Sequence, residues 1–354
     1  MKLCISNHGL RPSGGIERYA LTLVRGLHAL AIRPTVIAKT FDASLPEYGW
    51  IDARRIRVTG LPSKWRDPYF DWRLRRIKAR EDLGPLIACN QTGAADIAIC
   101  GSTHPGFLAA MAQTPRRSDT WKIALEHEHL TRAQFVVAHS QRMADEAVRH
   151  HGITAEKIHL MYPPVDGDRF APVDDDTRAR LREALQLPND KAVFLLASTG
   201  HRRKGLDLLA RHFARTTLPV CLVVAGRPID IAAPHIRYLG YRNDIENVFR
   251  AVDYTVLASL YEPFGLVGVE SVLCGTPVVV AEGAGCAEVL RGNGRIVFAL
   301  DDAASLDDAM ASAVAAWQAG RHRIAEPAQA LGYDPSVDVH VRGLIGLAQR
   351  VRQR

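Results

Sequence analysis

Short β-branched runs alternate along this chain with longer segments whose apolar positions recur every three or four residues. In the first half the pattern predicts strands at Lys2–Ser6, Thr35–Ala38, Asp96–Cys100 and Phe135–Ala138. A helix is predicted over Gly15–Ala31, with Ile16, Ala20, Leu23, Val24, Leu27 and Leu30 on one face. In the second half, strands are predicted at Val193–Ala197, Val220–Ala225, Tyr254–Ala258 and Val278–Ala281, with helices such as Leu206–Ala214, Ile245–Ala251 and Leu266–Cys274 between them. Strands alternating with helices point to an α/β fold of parallel sheets covered on both faces.

At 354 residues the chain exceeds one typical core and suits two domains. Regular structure breaks at Tyr162-Pro163-Pro164-Val165-Asp166-Gly167, where two prolines and a glycine interrupt any element. Two Rossmann-like domains are therefore expected at 1–165 and 166–335, with a C-terminal helix at 336–354 that has the option of returning to the first. The composition, 47% hydrophobic and 23% charged, is that of a soluble globular protein. The opening Met1–His8 reads as a strand running into a loop rather than a leader, so a cytoplasmic location is expected.

Charge is uneven. The net charge is +7, but residues 1–165 hold 23 Lys/Arg against 15 Asp/Glu, or +8, and the remainder 22 against 23, or −1. Only the first half is thus expected to meet an anionic partner. No nucleic-acid-binding signature is present, and nucleic acid is not expected. Six cysteines without C-x-x-C spacing read as buried thiols. Glu126-His127-Glu128-His129 and His150-His151 lack metal-ligand spacing and read as polar helix faces, so no metal is expected. Asp174-Asp175-Asp176, Asp301-Asp302 and Asp307-Asp308 read as acidic starts of surface helices.

In doubly wound sheets ligands bind beyond the carboxyl ends of the strands, so each loop following a strand is a candidate. Ser13-Gly14-Gly15 precedes the first helix and lets backbone approach an anion closely, although a tight turn explains the same pair. It does not match G-x-G-x-x-G, which counts against a dinucleotide enzyme. In Ser198-Thr199-Gly200-His201-Arg202-Arg203-Lys204-Gly205, three consecutive cations oppose the dipole of the next helix unless an anion sits there. A diphosphate held by Arg203 and Lys204 fits that placement, with solvated cations as the alternative. The third loop is the most specific. Glu262 and Glu270 are separated by seven residues across a strand–loop–helix junction, with Pro263 and Gly265 shaping the turn. The amides of Gly265, Leu266 and Val267 open the helix toward a phosphate, and Glu270, one turn in, suits two ribose hydroxyls.

On these residues the chain resembles glycosyltransferase family 4, retaining enzymes of the GT-B fold with two Rossmann-like domains facing across a cleft. The resemblance runs through nearly the whole chain: Gly14-Gly15, Arg203-Lys204-Gly205, Gly240 before Asn243-Asp244, and Glu262 to Glu270. It is similar to transferases of the bacterial lipopolysaccharide core and other envelope polysaccharides. The resemblance implies a nucleotide-diphosphate sugar donor, UDP-sugar favoured, a glycan or lipid-linked acceptor, and no cofactor or metal. It also implies that Glu262 contacts the donor sugar, Gly265 and Leu266 offer amides, and Glu270 holds the ribose. Arg203 and Lys204 would hold the diphosphate, Gly15 would approach the phosphate from the other domain, and Tyr241-Arg242 would flank the base. His104 matches in position a histidine beside the donor sugar; a loop histidine with a local hydrogen bond is the alternative.

There are departures: a small hydroxyl at Ser198 or Thr199 replaces a usual arginine, Pro163-Pro164 replaces Asn-Gly at the junction, and Ala284 replaces a glycine. A nucleotide-sugar epimerase or phosphorylase on the same fold, and a non-catalytic nucleotide-sugar-binding protein, are the other readings. The latter is expected to lose Glu262, Glu270 or Lys204, and all three are present. Finally, Lys64–Arg80 mixes seven cations with aromatics, and from Tyr69 onward Phe70, Leu74 and Ile77 share one helical face. Trp65, Arg73, Arg75, Arg76 and Lys78 are then candidates for an anionic membrane surface; a simply solvated basic face is the alternative.

Overall fold

A computed structural model describes residues 1–231 and 233–352, and the chain divides into two compact units. One contains residues 1–164 together with the chain from Pro335 onward; the other is Val165–Asp334.

The first unit begins β1 (Cys4–Leu10), α1 (Gly15–Ala29), β2 (Thr35–Phe41), β3 (Asp52–Arg55), α2 (Ser63–Arg80) and β4 (Leu86–Ala88). It continues through β5 (Ile97–Cys100), α3 (His104–Ala110), α4 (Arg117–Arg132), β6 (Phe135–Ala138), α5 (Gln141–His151) and β7 (Ile158–Leu160). The seven strands are parallel, in the order β3-β2-β1-β4-β5-β6-β7. The second unit runs α6 (Asp175–Ala184), β8 (Ala192–Ser198), α7 (Leu206–Arg215), β9 (Val220–Gly226), β10 (Ile236–Gly240), α8 (Ile245–Ala251) and β11 (Tyr254–Leu257). It ends with α9 (Leu266–Leu273), β12 (Val278–Ala281), β13 (Arg295–Phe298) and α10 (Ala303–Gln318). Its six strands are parallel too, ordered β10-β9-β8-β11-β12-β13. Numbered within each unit, both sheets follow the Rossmann order 3-2-1-4-5-6, the first with one strand more. The order reverses between β1 and β4, and between β8 and β11. Those two points are where a ligand is expected.

Burial explains the elements. Ala20, Leu23, Val24 and Leu27 of α1 pack on Ile5, Ile87 and Ile97, and the same core takes Val341, Leu344 and Leu347 from α11 (Val337–Arg352). In the second unit Phe194, Leu196 and Val224 meet Leu209 and Phe213 of α7 and Met310 of α10. The helix α11 is pinned by His340. A carbonyl only accepts, so the contact of Nδ1 with Tyr162 O at 3.0 Å puts the proton on Nδ1, and Nε2 accepts from the Tyr19 hydroxyl at 2.7 Å. Burial pushes the His340 imidazole down to about 4 and that of His139, edge-on to Tyr19, to about 3, so both rings are neutral at pH 7.

Several features differ from the sequence pattern. Five short strands, β3, β4, β7, β10 and β13, are too brief or too polar to carry a periodic signal; β3 reads Asp-Ala-Arg-Arg. The helix α2 starts at Ser63, one and a half turns before the amphipathic part, and carries Pro68 inside it. Glu126 and His129 do not lie on a polar helix face but are buried, Glu126 on His104 and His151 and His129 on the Thr92 carbonyl. Their spacing of three brings both to the inward side of α4, beside Leu130. Asp174 and Asp302 do cap α6 and α10, but Asp307 instead binds His212 and Arg215 of α7. All six cysteines are buried and free. Among the described residues no helix is long and apolar enough to cross a membrane.

Candidate active site

Because β8 and β11 are neighbours, the loops that leave their carboxyl ends touch. Leu260 N donates to Arg203 O at 2.8 Å. Gly205, N-cap of α7 with φ +72, sits so close to this second loop that a Cβ would lie 2.0 Å from the Ala258 carbonyl oxygen. Only glycine permits both the backbone and the approach. This apposition carries Lys204 onto Glu262, Nζ to Oε2 at 2.5 Å, with each side chain about one-tenth exposed. Ser259 Oγ donates to the same oxygen at 2.8 Å. Arg203 Nη1 donates to Tyr261 O at 2.8 Å and lies 3.5 Å from Glu262 Oε2.

Burial raises the Glu262 carboxyl, but Lys204 and then Arg203 outweigh it and hold the group below the usual carboxylate range. Two of the three cations before α7, Arg203 and Lys204, thus have a local counter-ion. In this structure Arg203 is half-buried and Lys204 buried, and only Arg202 is exposed. The small hydroxyl at Ser198 is also used, pairing with His201 Nδ1 at 2.9 Å.

Beyond Glu262 the loop is clamped by main chain. Gly285 N donates to Glu262 O at 3.0 Å and Cys286 N to Phe264 O at 2.6 Å. A Cβ on Gly285 would stand 2.1 Å from the Pro263 carbonyl oxygen, so this crossing also demands glycine. Gly265, left-handed at φ +95, then turns the chain into α9. The amides of Leu266 and Val267 fall in the first turn, where no intrahelical carbonyl reaches them. Glu270 lies on the next turn, half-buried. Tyr241 and Arg242 follow β10; Tyr241 is exposed, and Arg242 pairs with Asp244 at 2.7 Å. All these loops leave the same edge of one parallel sheet.

In the first unit Gly14 and Gly15 are exposed where β1 passes into α1. A Cβ on Gly15 would meet nothing within 4 Å, whereas one on Gly14 would stand 2.6 Å from Glu17 Oε2, a carboxylate folded back on the helix start. His104 is the first residue of α3, after β5; its Nε2 is 2.9 Å from Asp119 Oδ1. The basic segment on α2 is split by its own helix. Arg75 turns inward to Asp71, at 2.9 Å, and Glu128, and Lys78 to Asp96, at 2.6 Å. Arg73 and Arg76 remain exposed beside Trp72, their guanidinium carbons 6.0 and 4.9 Å from its ring. Trp65 packs edge-on against Trp121 of α4, with centroids 6.0 Å apart, and all three indoles are exposed.

Sequence reasoning did not single out Ser259, Gly285, Asp119 or Trp121. Ser259 lies three residues before Glu262 in the same loop and was legible as a nearby donor. Asp119 and Trp121 lie on a different helix from their partners, with no local signal.

Residues 13–169 match the family Glycosyltransferase Family 4, and residues 190–316 match Glycosyl transferases group 1. A probable transglycosylase of Burkholderia thailandensis is 46% identical over 351 residues, 98% of this chain and 97% of its own length. A D-inositol 3-phosphate glycosyltransferase of Xylanimonas cellulosilytica is 32% identical over 244 residues, 63% of this chain and 58% of that protein. Among solved structures, WaaG, a glycosyltransferase involved in lipopolysaccharide biosynthesis, shares the fold with a TM-score of 0.76 at 15% identity, covering 98% of each chain. HepE of Anabaena, solved with UDP and glucose, shares it with a TM-score of 0.71 at 17% identity, covering 100% of this chain and 98% of that one. The chain belongs to glycosyltransferase family 4 and is a glycosyltransferase of the GT-B fold.

Proposed function

We propose that this transferase moves a hexose, with retention of configuration and without a metal, from a UDP-sugar to a glycan or lipid-linked acceptor of the bacterial envelope, lipopolysaccharide among them. The observation that carries the reading is the buried Lys204–Glu262–Ser259 cluster, with Arg203, at the reversal point of the second sheet. Glu262, kept ionised by its cations, accepts hydroxyls of the donor sugar. Arg203, Lys204 and the amides of Leu266 and Val267 stabilise the charge that grows on the departing diphosphate, and Glu270 holds the ribose. Tyr241 and Arg242 flank the base. Gly14 and Gly15 offer amides to phosphate, and His104 meets a sugar hydroxyl. No second carboxylate stands out as a nucleophile, which favours front-face attack with the leaving diphosphate oxygen taking the acceptor proton. A UDP donor gains support from HepE, a fold neighbour solved with UDP-glucose.

The reading is tested without knowing the acceptor. Slow hydrolysis of UDP-glucose, followed at early times by proton NMR, is expected to release the α-anomer first, at the same rate in EDTA. Release of the β-anomer, an epimerised donor, or a loss in EDTA restored by Mn²⁺ would contradict it.

The acceptor reading includes an anionic bilayer surface, met by Trp65, Trp72 and Trp121 with Arg73 and Arg76. Each cation near such a surface contributes about 1 kcal/mol. Arg73→Gln with Arg76→Gln is therefore expected to weaken co-sedimentation with phosphatidylserine vesicles about 30-fold. Arg75 and Lys78 are left intact because they hold Asp71, Glu128 and Asp96. Wild-type protein remaining in the supernatant at low salt would end the membrane reading.

A further inference from the structure

We propose that Asp119 is a positioning residue for His104, fixing its ring as the Nε2–H tautomer so that Nδ1 is the atom offered to a sugar hydroxyl. This rests on the reading of His104 as a donor-sugar contact. The main chain of His104 is held independently of its ring, its N–H donating to both oxygens of Glu126 at 3.1 and 3.0 Å. Thr103 caps the same helix through Gly106 N at 3.2 Å. The only freedom left is the ring, and Asp119 removes it with a 2.9 Å contact at Nε2.

Asp119 cannot swing away. It is the third residue of α4, and its Oδ2 accepts the Arg116 amide at 2.9 Å in the capping box that starts the helix. The Arg116 amide, and then His104, hold its carboxyl well below the usual carboxylate range. An ionised carboxylate only accepts, so the proton of a neutral ring sits on Nε2 and the lone pair on Nδ1. The charged groups around this ring are Asp119 and Lys122, with Nζ 3.2 Å from the same oxygen, and Glu126, all from α4; Glu146, paired to Arg142 on α5, faces Thr103. Phe107 stacks on the ring, centroids 6.2 Å apart. A neutral His104 therefore accepts a hydrogen bond from a sugar hydroxyl, and a protonated one donates.

Long-range ¹⁵N–¹H NMR of the full chain tests this directly. Wild-type His104 is expected to show the Nε2–H tautomer, and Asp119→Asn, whose amide offers either a donor or an acceptor to Nε2, to populate both tautomers. In the same variant kcat is expected to fall about 10- to 100-fold, by analogy with carboxylates that orient metal-bound histidines, with the donor KM within about twofold. Asp119→Asn added to His104→Ala should cost nothing further. A wild-type Nδ1–H tautomer overturns the proposal even if the variant fails to fold. So does an unchanged tautomer in Asp119→Asn, or an equal kcat loss in the His104→Ala background. If the spectra are as expected but His104→Ala leaves turnover intact, the sugar-contact reading of His104 falls while the tautomer assignment stands.

Discussion

Lys204→Met is expected to cost about 3–5 kcal/mol of stability and to lower turnover about 10²–10³-fold, because it strands a buried carboxylate and removes a cation from the leaving group. Among the described residues Glu262 would keep Ser259 at 2.8 Å and Arg203 at 3.5 Å. The sequence alone pictures Arg203 and Lys204 as cations on a loop, whose loss alters turnover more than stability. The structure changes that expectation for Lys204, whose charge is internal. The sign of the pH dependence follows. In the wild type the folded pKa of Glu262 is depressed, so its contribution is present above its ordinary value near 4.5 and is lost as pH falls through the folded value. In Lys204→Met burial acts on Glu262 with less compensation and favours protonation. The stability gap between the two proteins should therefore narrow as the pH is lowered toward 4.5. Adding Glu262→Gln should restore stability at pH 7 and leave turnover low. Urea unfolding at several pH values checks this; a single-variant loss below about 1 kcal/mol would mean that the pair is not buried as described.

Gly205→Ala should be nearly as damaging, and for a reason unrelated to charge. The left-handed backbone costs a non-glycine residue about 1–2 kcal/mol, and the added methyl would meet the Ala258 carbonyl oxygen at 2.0 Å. The loops after β8 and β11 must then part, and Lys204, the adjacent residue, leaves Glu262. A loss of turnover of about 10²-fold or more is expected, together with a lower melting temperature. Gly200→Ala is the control. It lies in the same loop, a Cβ there meets nothing within 4 Å, and it should be close to neutral. Equal effects at the two positions would rule out the close approach as the cause.

What was legible in the sequence was local. The alternation of apolar runs and helical periods is written residue by residue, so the α/β fold and most central strands were readable. The strands Phe135–Ala138 and Val278–Ala281 lie where the pattern put them. The Glu262–Glu270 motif was readable because its turn, glycine and helix occupy one continuous stretch. The Lys204–Glu262 bond was not, because it joins residues 58 apart whose loops meet only through the β8–β11 pairing. The same holds for His104 on Asp119 and for Trp65 on Trp121. The division of the basic helix was available in principle: Asp71, Arg75 and Lys78 fall at spacings of four and three and share a side with Leu74. Composition masked it, since cations on both faces of α2 look alike until a partner such as Asp96 or Glu128 is placed.

The most direct test of the central claim, that the loops at the carboxyl edge of the second sheet hold a nucleotide-diphosphate sugar, is calorimetric titration of UDP into wild-type protein and Glu270→Ala. Hydrogen bonds to a charged group contribute about 1.5–3 kcal/mol. One site is therefore expected in the wild type, weakened about 10- to 100-fold in a folded Glu270→Ala variant. Equal affinity in the two folded proteins would contradict the account.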